Sequence, residues 1–135
     1  MQLWKRLYGT VWLAFFSCMV IPRWTGVTVG LWVHVVLGLA IFAVTLSNSR
    51  SLQNMPVPPR LKRIGKIIVG FAAVQIICGL AFGAVMHLLP DASALATGSR
   101  IAHVVFALAI LAQASSLATA YDMWEDKEFQ QASPK

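Results

Sequence analysis

The chain has 135 residues, enough for one domain and short for two. Its hydrophobic fraction of 58%, its charged fraction of 12% and its mean hydropathy of +0.69 exclude an ordinary soluble domain, because a protein this small leaves too much surface facing water. The net charge of +6 argues for no nucleic-acid partner: five of the eleven positive side chains, Arg50, Arg60, Lys62, Arg63 and Lys66, crowd one segment that has no aromatic residues to stack bases.

Four apolar segments are expected to cross a lipid bilayer, at about 3–22, 26–47, 65–87 and 99–121, each near the ~20 residues the hydrocarbon core requires. The first begins with Lys5 and Arg6 and could pass for a signal peptide, but no small-x-small cleavage motif follows, so it reads as a retained span. It contains Cys18, and the third segment contains Cys78. Neither cysteine belongs to a metal-finger spacing or a disulfide framework, so both read as buried free thiols. Pro22-Arg23-Trp24-Thr25 forms the turn into the second segment.

After the second segment comes the basic stretch 48–64, with Met55, Pro56, Val57, Pro58 and Pro59 at its centre. The prolines predict an extended loop. The positive charges put this loop and both termini in the cytoplasm, since the opposite loops carry only Arg23 and Arg100. The tail 122–135 is amphiphilic and solvated. The expected fold is therefore an all-α membrane protein, a single domain built as a four-transmembrane-helix bundle with N-in and C-in topology. The expected location is a bacterial or archaeal cytoplasmic membrane.

Two stretches within this frame are nearly the same sequence. His34-Val-Val-Leu-Gly-Leu-Ala-Ile41 lies in the second segment and His103-Val-Val-Phe-Ala-Leu-Ala-Ile110 in the fourth, 69 positions later. Gly9 with Gly65 and Phe15 with Phe71 align the first and third segments more weakly. The chain thus reads as a duplicated two-helix hairpin, in which the second and fourth segments run the same way and bring both histidines to similar depth. Matching the depths requires the fourth helix to begin earlier, within Ala92–Gly98.

An imidazole in an apolar helix is costly, and in a membrane it marks a functional site by default. Two in one repeated frame suggest a ligand gripped from both sides, and the chemistry that fits is one b-type haem per chain with His34 and His103 as axial ligands. For a lone histidine, a hydrogen bond to a neighbouring helix is an equal reading. Gly38 and Ala107 stand one turn after the histidines on the same faces, where a larger side chain would collide with a macrocycle. Small residues at that spacing also let membrane helices touch.

Arg100 and Arg23 are candidates to hold haem propionates, against plain interfacial anchoring. His87 could relay a proton or serve as an alternative ligand, but reads more simply as an interfacial residue. Gln75 and Gln113 could contact a quinone, or bond helix to helix. All five acidic residues lie at 91 or beyond 121, so no carboxylate chemistry is expected within the membrane.

On these residues the chain resembles one four-helix half of the haem A synthase family. The resemblance rests on the segments that begin at His34 and His103, with Val74-Gln-Ile-Ile-Cys-Gly-Leu80 similar to a Val-Gln-x-x-x-Gly pattern in the third helix. It implies haem binding by His34 and His103. The family's synthases carry a glutamate three residues before the second-helix histidine, where this chain has Leu31, and many bacterial members carry a cysteine pair in the first outer loop that is missing here. The chain resembles b561-type membrane cytochromes more weakly, through His34 and Pro56-Val-Pro-Pro-Arg60, but their further histidine down the last helix has no counterpart near Ser116–Ala118. The expected role is electron transfer as a subunit or anchor of a respiratory or redox complex. Two alternatives stand beside it, a half-size haem A synthase-like enzyme acting as a homodimer, and a cofactor-free scaffold subunit.

Overall fold

A computed structural model describes residues 2–20, 28–88 and 93–132. They form helices α1 (Leu3–Val20), α2 (Thr28–Gln53), α3 (Pro59–Leu88) and α4 (Ser93–Ala132). Helix α2 runs deep into the basic stretch, and only 54–58 between α2 and α3 lies outside helix. The 48–64 segment is therefore mostly helical, a correction to the extended loop expected there. The reason is positional. Pro59 occupies the first turn of α3, where a missing N–H costs nothing and the fixed φ already suits a helix. Asn54 N and Met55 N close the end of α2 on the carbonyls of Ser51 and Leu52, at 3.2 and 3.3 Å.

Helix α4 differs from its expected span at both ends. It starts at Ser93, inside the window that matched histidine depths require, and continues through the acidic tail to Ala132. At about 1.5 Å per residue its 40 residues extend roughly 60 Å, twice the ~30 Å hydrocarbon thickness. Among the described residues, three helices are long and apolar enough to cross a membrane, over Gly30–Gln53, Pro59–Val85 and Ala94–Gln131. Helix α1 is shorter, with 18 residues that include Lys5 and Arg6.

Each helix packs against two others: α1 on α2 and α4, and α3 on α2 and α4. The diagonal partners α1 and α3, and likewise α2 and α4, stay apart across the bundle axis. The contacts run antiparallel around the ring. The start of α1 meets the end of α2 where the Arg6 guanidinium donates to Ser47 Oγ and Ser51 Oγ. The end of α2 meets the start of α3 where Gln53 Nε2 donates to the Lys62 carbonyl at 3.2 Å and Lys62 Nζ donates to the Gln53 carbonyl at 3.0 Å.

Burial is uneven along the axis. The buried core gathers at the end nearest the 54–58 turn, around Leu7, Leu52, Leu61, Ile68, Leu117 and Tyr121. The polar residues Thr10, Thr45, Asn48 and Ser49 are buried there as well. Toward the other end, large apolar side chains face outward on every helix, among them Phe16, Trp32, Leu80 and Val105. Water would penalise such a surface, whereas lipid tails solvate it, because only internally hydrogen-bonded helices cross the hydrocarbon region. The protein is an integral membrane protein on this ground.

Candidate functional site

His34 sits in the first third of α2 and His103 in the first third of α4, on the two helices that face each other across the bundle. Bundles build their cofactor sites from inward side chains on such facing helices. The two imidazoles meet: their ring centroids are 5.7 Å apart, with planes at 55°. Both rings are half-buried. The Nδ1 atoms of His34 and His103 are buried without a hydrogen-bond partner, and so is Gln75 Oε1 from α3.

Helix α3 forms the wall beside His103. Phe71 of α3 and Phe106 of α4, three residues after His103, stack edge to face with centroids 5.8 Å apart. One turn beyond Gln75 comes Gly79. A Cβ built there would lie 3.1 Å from His103 Cε1 and 3.4 Å from Nδ1, so the imidazole fills the place of a side chain. Gln75 and Gly79 were legible as a pair four residues apart, on one helix face. The meeting of that face with His103 was not.

The other candidate residues have different surroundings. Gly38 lies one turn after His34 and is half-buried, but a Cβ added there meets nothing within 4 Å. It therefore does not serve a close helix contact, and the space beside it is open. Ala107 is half-buried at the equivalent place on α4, and Arg100 is exposed one turn before His103. Leu31 is 60% exposed, turned toward the surroundings of the bundle. Gln113 is half-buried farther along α4. Cys18 and Cys78 are free and half-buried. Arg23 lies outside the described residues, as does the side chain of His87.

The donor set suits a metal held from two sides. A metal–imidazole bond is about 2 Å, and a ring centre lies a further ångström or so behind its nitrogen, so two ligating rings on opposite sides of one ion stand about 6 Å apart. The observed 5.7 Å is close to that. Among the described residues no group of three or more His, Cys, Asp or Glu side chains converges. No protein-family model matches the chain, and neither does any curated protein or solved structure.

Proposed function

We propose that the protein is a membrane-bound b-type cytochrome, with one haem held between His34 and His103, that transfers electrons as a subunit or anchor of a larger redox complex. The single observation that carries the reading is the meeting of two imidazoles on diagonal helices, 5.7 Å apart, with buried unpartnered nitrogens. Polar groups of this kind are costly in a low-dielectric interior, about 1–3 kcal/mol for each one left unpaired, so a bundle without a ligand has no use for two facing imidazoles.

When bound, haem iron between two imidazoles supplies one-electron exchange. The chain's own residues do the rest. His34 and His103 each present one nitrogen and keep the other for an acceptor, which for His103 can come from Gln75. Gly38 leaves space for a flat apolar ring, and Phe71 with Phe106 adds apolar surface near His103. Arg100 stands one turn from His103 toward the end of α4 nearest the membrane surface, positioned to pair with an anionic edge of the cofactor. In this reading α1 is the fourth span, and both termini and the 54–58 turn face the cytoplasm, with the basic residues from Arg50 to Lys66 on that side.

A reduced-minus-oxidised optical spectrum of the purified protein tests the proposal. Sharp α and β bands of a low-spin haem are the expected result, and a featureless spectrum from membranes supplied with haem would sink it. Extraction then separates haem b from the haem a or o that a half-size synthase would carry. For topology, single cysteines in a Cys18- and Cys78-free background should react with an impermeant label from outside at Ser93 and not at Asn54. Labelling of both positions from one side would remove the third span and the matched depth of the histidines.

A further inference from the structure

We propose that the dense end of the bundle holds one buried water molecule, bound beside Asn48 in a cavity that all four helices line. The cavity leaves about 10 Å³ in which the centre of a water molecule can sit, the room needed for a single molecule. Its wall includes Thr10 of α1, Thr45, Asn48 and Ser49 of α2, Gly65 of α3 and Ala114 of α4. Asn48 is only 3% exposed, and its Oδ1 is buried without a partner.

The hydrogens on these side chains are largely committed elsewhere. Asn48 Nδ2 donates to Thr10 Oγ1 at 3.0 Å and to the Arg6 carbonyl at 3.5 Å. Thr10 Oγ1 donates to the same carbonyl at 2.8 Å. Thr45 Oγ1 donates to the Phe42 carbonyl at 2.9 Å. What Asn48, Thr10 and Thr45 can still offer is acceptor capacity, so the occupant must supply hydrogens. Thr10 Oγ1 already accepts from Asn48, so water supplies its two hydrogens to Asn48 Oδ1 and Thr45 Oγ1 and can accept from Ser49.

A metal cation would also satisfy acceptors, but charge counts against it. The acidic residues lie at 91 and beyond 121, so the cavity wall has no carboxylate. The Arg6 guanidinium, held on Ser47 and Ser51, already places a positive charge at this end. An uncompensated second one in low dielectric is unfavourable. The site is separate from the histidines: Asn48 follows His34 by 14 positions along α2, about 21 Å of helix. The inference therefore does not depend on haem.

The test is water–protein magnetisation transfer by NMR on the full chain in detergent micelles. Expected are cross-peaks at the water frequency to the Asn48 side-chain amide and the Thr10 and Thr45 methyl groups, and weakening of those peaks with a lower thermal midpoint in Thr45→Val. Resolved Asn48 signals without water cross-peaks in the unaltered protein would mean a dry cavity and overturn the proposal, whatever the variant does. A thermal midpoint raised by sodium or potassium chloride, but not by choline chloride, would overturn it in favour of a cation. An unchanged Thr45→Val, in both cross-peaks and midpoint, would also overturn it.

Discussion

At the end of the bundle near the 54–58 turn, side chains pack around Leu52, which has no exposed surface, and Asn48 of α2 donates across to Thr10 Oγ1 and the Arg6 carbonyl of α1. At the other end the same helices present half-buried histidines, an open space beside Gly38 and orphaned nitrogens and oxygen. Charge marks the dense end, beside which the basic residues from Arg50 to Lys66 lie, but it does not say how either end packs. Both ends keep orphaned polar atoms, Asn48 Oδ1 at the dense end and the two histidine Nδ1 atoms with Gln75 Oε1 at the other; the difference lies in how closely apolar side chains pack around them. A closely packed core stabilises the fold, whereas half-buried polar groups among exposed apolar side chains mark a candidate site.

The sharpest way to break this comparison is to remove the histidines. His34→Ala and His103→Ala should each abolish the low-spin bis-histidine spectrum and leave at most a weak five-coordinate haem, while the fold persists because the dense end is untouched. A native spectrum in either variant would refute the ligand assignment.

Leu52→Ala makes the complementary test. It empties a fully buried position and should cost about 2–5 kcal/mol of stability, read from thermal denaturation in detergent, with the spectrum unchanged. Leu39→Ala, on an exposed face of α2, should cost far less. Equal losses at the two positions would erase the contrast between the ends.

Enlarging the small residues beside the histidines probes the open space. Gly38→Leu and Ala107→Leu should lower haem occupancy, since overpacking against a rigid ring costs about 1–3 kcal/mol. Haem content per protein measures it. Full loading in both variants would assign these positions to ordinary packing.

The smallest change is a single methyl group. Gly79→Ala puts a carbon about 3.1 Å from His103 Cε1, so the ring must shift by a few tenths of an ångström. The axial-ligand signature in electron paramagnetic resonance should move while haem content stays. Gly83→Ala, where an added Cβ meets nothing within 4 Å, should leave that signature in place.

Much of this architecture was legible in the sequence for definite physical reasons. Hydrocarbon thickness sets helix length, so four apolar segments of the right size already announced helices. The repeated octapeptides put His34 and His103 in one frame, and a duplicated hairpin has only one simple way to bring them to one depth. Local chain chemistry was harder to read. Prolines between 55 and 59 suggested a long loop, but Pro59 starts a helix instead of breaking one. The amphiphilic tail gave no apolar signal, yet α4 continues through it to Ala132.

The sequence by itself determined the solvent, the helices and the pair of histidines, because composition and spacing act along the chain and need no partner. Only the tertiary structure decided what each histidine faces. Contacts between diagonal helices depend on how the helices rotate about their axes, and an all-round apolar surface leaves that rotation unspecified. Close packing settles it, through Gly79 making room for His103 and Asn48 reaching across to Thr10 and Arg6. Those fits exist only once four helices stand together.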